Sequence, residues 1–130
     1  MSRRLGLVTF LVRDYDEAIA FFTGPLGFSL IENSPLAGDK RWVVVAPGSI
    51  GAGALLLARA ADDRQRATVG AQAGGRVAFF LETQDFAADH ARMTAAGMRF
   101  REAPRQEAYG IVAVFEDLYG NPWDLLQRAA

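Results

Sequence analysis

Residues 5–12 form a run rich in Leu, Val and Phe, which predicts a strand whose alternate positions face two different sides. Asp14-Tyr15-Asp16-Glu17 follows, with Asp14 placed to cap a helix and Glu17 three positions on, a capping-box spacing. That helix presents Ala18, Ile19 and Phe22 on one face, and Gly24-Pro25 ends it. Three apolar segments come next, at residues 28–32, 41–46 and 54–59. Ser34-Pro35 and Gly38-Asp39 separate the first two, and Pro47-Gly48, Gly51 and Gly53 the second two. They predict short antiparallel strands, so the first half is β-α-β-β-β.

The second half repeats the first. Residues 76–81 (RVAFFL) predict a strand and residues 85–96 a helix, opened at Thr83 or Asp85 and closed by Gly97. Strands are expected at 99–104, 111–116 and 122–127, with turns at residues 107–110 and 117–121. Val8-Thr9-Phe10-Leu11-Val12 lies over Val77-Ala78-Phe79-Phe80-Leu81 at an offset of 69 (77 − 8), and Gly27 over Gly97 at 70 (97 − 27). A fixed offset of this size marks an internal repeat. Between the halves the apolar period lapses, and residues 61–74 read as an exposed linker joining units 4–60 and 75–128 of one domain.

Two β-α-β-β-β units give an α+β fold in which each antiparallel sheet is cupped and carries one helix on its outer face. The helices are expected to cover Val8, Phe10 and Val12, and Val77, Phe79 and Leu81. Alternation then turns Leu7, Thr9, Leu11, Arg76, Ala78 and Phe80 toward the concave side. A unit of about 55 residues buries too little surface to stand alone, so the two must pack together or exchange with another chain. Two cupped sheets packed together enclose a trough suited to a small ligand.

Composition narrows the chemistry. The chain has 130 residues, 51% of them hydrophobic and 22% charged, enough apolar surface to build a core. It has no Cys, which removes disulfides, thiolate nucleophiles and Cys-based metal sites, and a single His, His90. Fourteen basic against fifteen acidic residues leave a net charge of −1, and no basic block suggests a nucleic-acid partner. MSRRLGLVTFLVRD does not read as a secretory signal. The longest uncharged run, residues 42–58, is broken by Pro47, Gly48, Gly51 and Gly53, so no membrane span is expected. A cytoplasmic protein is the default. No nucleophile elbow, phosphate-binding loop or dinucleotide fingerprint occurs.

The segments VTFLVRDYDEAIAFFTGPLGF and YGIVAVFEDLYGNPWDLLQ resemble the opening and closing of the vicinal oxygen chelate superfamily. That superfamily includes glyoxalase I, bleomycin-resistance proteins, extradiol dioxygenases and fosfomycin-resistance enzymes. The resemblance spans about residues 5–127 and implies the doubled β-α-β-β-β fold. It also implies a divalent metal held by His, Glu or Gln on the first and last strands of each unit. Those positions map onto Leu7, Leu57, Arg76 and Asp124, of which only Asp124 is a donor, so no metal and no other cofactor is expected.

In place of the metal, the mapping sets Arg76 beside Asp124. The two either fill the trough as a structural pair or present donors to an anionic or carbonyl-bearing ligand. Thr9, Leu7 and Leu57 join them as lining. Arg59 shares the parity of Leu57 and is expected at the trough mouth or in solvent. Trp42, Phe80 and Tyr109 are the aromatics expected at the lining or rim, and Trp123 is assigned to the core or an interface. His90 is expected to serve packing or lie on the surface. Glu116-Asp117 before Gly120-Asn121-Pro122 is turn chemistry. The expected protein is a homodimer that binds a small organic ligand, in the manner of the bleomycin-resistance members. The alternatives are a metal-dependent lyase, isomerase or dioxygenase, and an interaction module with a collapsed trough.

Overall fold

A computed structural model describes residues 1–48 and 51–130. The chain divides into two compact units, Met1–Val69 and Gly70–Ala130. The first contains β1 (Val8–Val12), α1 (Tyr15–Thr23), β2 (Ser29–Pro35), β3 (Arg41–Ala46), β4 (Leu55–Arg59) and α2 (Asp63–Thr68). The second contains β5 (Phe79–Glu82), α3 (Phe86–Ala95), β6 (Arg99–Phe100), β7 (Arg105–Glu107), β8 (Gly110–Glu116) and β9 (Pro122–Arg128).

In the first unit the sheet order is β1-β4-β3-β2. β2, β3 and β4 run antiparallel, while β1 joins β4 in parallel, so the sheet is mixed rather than wholly antiparallel. Asp14 caps α1 as its sequence requires, accepting from the Glu17 amide at 2.8 Å. The helix ends at Gly24, where a Cβ would sit 2.7 Å from the Ala20 carbonyl oxygen, so the cap favours glycine. α1 packs on β2, β3 and β4 through Tyr15, Ala18 and Phe22. Phe22 meets Phe10 edge to face at 5.2 Å and Phe28 at 5.4 Å, and all three rings are buried. Burying each such side chain contributes about 1.5–3 kcal/mol.

The second unit repeats the plan, with β5 joining β9 in parallel and β8 pairing β9, β6 and β7 antiparallel. Of the strand expected at residues 99–104 only Arg99–Phe100 forms one, β6, and β7 follows as a separate strand from Arg105. Asp85 caps α3. The Phe86 amide donates to Gln127 Oε1 at 2.8 Å, which fixes the α3 side of β9 as the one bearing Trp123, Leu125 and Gln127. His90 stands between Phe86 (5.6 Å) and Phe100 (4.3 Å), and the aromatic row continues through Phe115 to Trp123 and Phe79. His90 is a packing residue, as the helix pattern implies.

Three boundaries differ from the sequence reading. β1 and β5 begin at Val8 and Phe79, later than the apolar runs suggest. β2 continues through Ser34 to Pro35, with a bulge between Leu30 and Glu32. The stretch expected to be linker carries α2, capped by Asp62, whose side chain accepts from the Gln65 amide at 2.8 Å. No residue of α2 is buried, so no apolar period marks it in the sequence.

The DLYGN turn between β8 and β9 is held by one carboxylate. Asp117 Oδ1 accepts from the amides of Tyr119 (2.9 Å) and Asn121 (3.1 Å). Oδ2 accepts from Asn121 Nδ2 (3.0 Å) and Trp123 Nε1 (2.9 Å). Asn121 Oδ1 in turn accepts from the Gln72 amide at 2.9 Å, which ties the start of this unit to its last turn. Glu116-Asp117 is turn chemistry, and the motif is structural.

Candidate ligand-binding faces

In each unit the helix covers one face of the sheet, and strand register decides which side chains lie on the other. β1 and β4 pair Thr9 with Leu56, Phe10 with Leu57, Leu11 with Ala58 and Val12 with Arg59. Directly paired residues share a face. Leu57 therefore lies with Phe10 on the α1 side and is fully buried. The side chain it displaces from the expected lining is Leu56, which pairs with Val44 and Thr9. A repeat offset fixes a position along a strand to within one residue, and a slip of one residue reverses the face. Arg59 is corrected for the same reason. It lies on the α1 side with its guanidinium 5.3 Å from the Tyr15 ring centre and 2.7 Å from Asp39.

Away from α1, the first unit has a cleft of about 380 Å³ whose lining includes Leu7, Ile31, Glu32, Trp42, Val44 and Ala46. Leu7 and Trp42 are each 36% exposed, so the cleft has open apolar walls. That volume suits a small organic molecule. Thr9 is on the same face by register and is exposed.

Away from α3, the second unit places Asp124 between Phe80 and Val114. Asp124 is 8% exposed, whereas Phe80 is 62% exposed. Asp124 Oδ1 is buried with no hydrogen-bond partner. Burial pushes this carboxyl above its ordinary range; the field of Arg105 opposes that and the charge of Glu102 adds to it. The expected pair with Arg76 does not form: Arg76 lies in the bend before β5 and is exposed, and the described residues give it no ion pair with Asp124. Arg105 is the cation near Asp124, yet its donors go elsewhere. Its Nε meets both oxygens of Glu102 at 3.2 Å, Nη1 meets Glu107 Oε1 at 2.9 Å, and Tyr109 is a further hydrogen-bond partner. Glu102 Oε2 also accepts from the Val114 amide at 3.0 Å.

Arg105 and Glu102 escaped the sequence reading, which took residues 99–104 as one strand. The signal available was Arg105-Gln106-Glu107, two opposite charges at strand spacing, which share a face of β7. Tyr109 is 47% exposed in the two-residue loop between β7 and β8.

The family model described as Glyoxalase/Bleomycin resistance protein/Dioxygenase superfamily matches residues 4–125. The chain belongs to that superfamily. An uncharacterized protein of Shewanella frigidimarina (strain NCIMB 400) is 51% identical over 98% of this chain and 95% of its own length. Among solved structures of similar proteins, UcmS2 gives a TM-score of 0.83 at 29% identity, covering 97% of this chain and 98% of its own. TnmS3, an antibiotic binding protein from Streptomyces sp. CB03234, gives 0.77 at 27% identity, covering 98% of both chains. Of the positions the resemblance assigns to metal ligands, Leu57 is buried on the α1 side and Asp124 lies beside Phe80 and Val114. Among the described residues no three His, Cys, Asp or Glu side chains gather in a way that would hold a metal ion. No helix among them is long and apolar enough to cross a membrane.

Proposed function

We propose that this protein binds and sequesters a small, largely apolar organic molecule on the sheet faces away from its helices, without the superfamily's metal. The observation that carries the reading is Asp124 Oδ1, a buried acceptor with no partner beside the exposed Phe80 ring. An unpaired buried polar atom costs about 1–3 kcal/mol, and a ligand donor that reaches it recovers that cost on binding. In the second unit Phe80 and Tyr109 supply aromatic contact beside Asp124; in the first, Leu7, Trp42 and Thr9 line a face of their own. Arg76 offers donors to an anionic or carbonyl-bearing group. The binding of an antibiotic by the similar TnmS3 supports this ligand class. Sequestration needs shape and a few polar anchors but no Lewis acid. We take the working form to be a cytoplasmic homodimer, since each half has sheet edges to cover.

A thermal-shift panel of aromatic antibiotics, bleomycin included, tests the reading. A ligand that binds only the folded state at 100 times its Kd stabilises by about 2.7 kcal/mol. At least one compound should raise the melting temperature in a saturable way, and Asp124→Asn should reduce that shift. No shift across the panel rejects sequestration of this class. Stoichiometric Zn, Ni, Mn or Fe in protein purified without chelator rejects the metal-free part, and a monomer by light scattering rejects the dimer.

A further inference from the structure

A second cleft of about 530 Å³ lies in the first unit, where β3 begins and β4 ends, near the starts of α1 and α2. Its lining carries Lys40, Arg41 and Arg59 against one acid, Asp39, and its apolar wall is formed by Leu36, Trp42 and Leu56. Two of the cations lie against one aromatic ring. The guanidinium carbons of Arg41 and Arg59 lie 5.0 and 5.3 Å from the centre of the same buried Tyr15 ring. Like charges placed together on neighbouring strands are destabilising unless an anion offsets them.

The anions present are weak partners. Asp16 meets Arg41 at 3.0 Å and Asp39 meets Arg59 at 2.7 Å, yet the two acid side chains are 80% and 85% exposed. Exposed pairs of this kind are worth about 0–1 kcal/mol. The arginines, by contrast, are preorganised: their side chains are only 26% and 34% exposed. Arg41 is fixed from one side, its Nε and Nη2 both donating to Asn33 Oδ1 at 3.2 and 3.1 Å, while its amide donates to the Tyr15 hydroxyl at 3.2 Å. The hydrogen bond from Arg59, helped by its charge, holds the Asp39 carboxyl below its ordinary range.

We propose that this cleft is a binding site for a small organic anion, a carboxylate or phosphate ester whose charged oxygens replace Asp39 on Arg59 and whose apolar body lies against Trp42 and Leu36. Guanidinium groups present paired donors matched to carboxylate and phosphate oxygens, and a hydrophobic wall beside them selects an organic carrier over the bare ion. The site is separate from Asp124, so it stands whether or not that residue meets a ligand.

The test is a titration of the ¹⁵N-labelled full chain with phenyl phosphate, benzoate and inorganic phosphate, followed at the arginine Nε–H and tryptophan indole signals. Saturable shifts at Arg59 and Trp42 are expected, with phenyl phosphate binding about tenfold or more tightly than inorganic phosphate, the factor equivalent to about 1.4 kcal/mol. Arg59→Gln should weaken phenyl phosphate binding about tenfold, while Arg99→Gln, the same charge loss in the other unit, should not. Asp39→Asn removes the competing carboxylate, keeps the fold and should tighten binding. Equal affinity for the organic and inorganic phosphate overturns the organic part. Unchanged binding in Arg59→Gln, or weaker binding in Asp39→Asn, overturns the site.

Discussion

Asp117→Asn keeps the size of the side chain and isolates what the carboxylate does in the β8–β9 turn. The carboxylate accepts four hydrogen bonds, two on each oxygen, at 2.9–3.1 Å. An Asn amide retains one oxygen and turns an NH₂ toward the other two donors. Two bonds to a charged acceptor are lost, each worth about 1.5–3 kcal/mol. Removing a buried charge relieves part of that, because burial already pushes this carboxyl above its ordinary range despite its four donors. The net loss should be about 2–4 kcal/mol. Unfolding entropy of about 2.1 cal/mol/K per residue over 130 residues makes 1 kcal/mol about 4 °C, so the melting temperature should fall by about 8–15 °C. The measurement is calorimetry with a matching urea titration. The sign with pH follows from the raised folded value. Asp117 contributes most below the ordinary carboxyl pKa of 3.8 and less as pH rises through its folded value, so the gap to the variant narrows toward neutrality. A loss below about 1 kcal/mol at every pH, against the expected 2–4, would refute the claim that this carboxylate organises the turn.

Gly110→Ala should cost about 3 kcal/mol or more in urea unfolding, because at φ +146° a Cβ would meet the backbone oxygen of Gln127 at 2.1 Å; Gly120→Ala, at φ +90° in open space, should cost only about 1–2 kcal/mol. Leu57→Ala should lose about 2–5 kcal/mol and Leu56→Ala clearly less, and equal losses would restore the original facing of β4. Asp124→Asn should gain melting temperature over the parent as pH rises from about 4 to 7. The raised Asp124 carboxyl contributes stability below its unfolded value and loses it as pH climbs through the folded one. A gap that stays constant with pH in differential scanning fluorimetry refutes the desolvation account.

The doubled architecture was legible because each unit carries its own punctuation: Asp14 and Asp85 cap the helices, Phe10 and Phe79 sit at matching places in the repeat, and glycines close the turns. The parallel closure of β1 on β4 and of β5 on β9 was not, since it depends on contacts between residues about 45 apart that no local pattern encodes. The site was harder to read for a related reason. Facing within a strand has period two, so the uncertainty of one residue left by a weak repeat is harmless for fold and decisive for lining. Leu57 and Arg59 lie on the α1 side for that reason, while Thr9, Phe80 and Asp124 lie on the faces away from the helices.

The two units share a topology and have diverged in where they leave charge uncompensated. In the first, the surplus is positive and stands at the strand ends, with Arg41 and Arg59 stacked on Tyr15 and paired only to solvent-exposed acids. In the second it is negative and buried: Arg105 is surrounded by Glu102, Glu107 and Tyr109, and Asp124 is left without a hydrogen bond on Oδ1. The Arg105 charge acts on Asp124, yet Arg105 Nε donates to Glu102, whose own oxygen holds the Val114 amide. Glu102→Gln would release that guanidinium without removing it. If Asp124 is kept open for a ligand, the freed Arg105 should fill the vacancy, raising stability and weakening any antibiotic that the parent binds. The two effects should appear together in one melt series with and without the compound. Tighter binding in Glu102→Gln would show instead that Arg105, not Asp124, is the ligand's anchor.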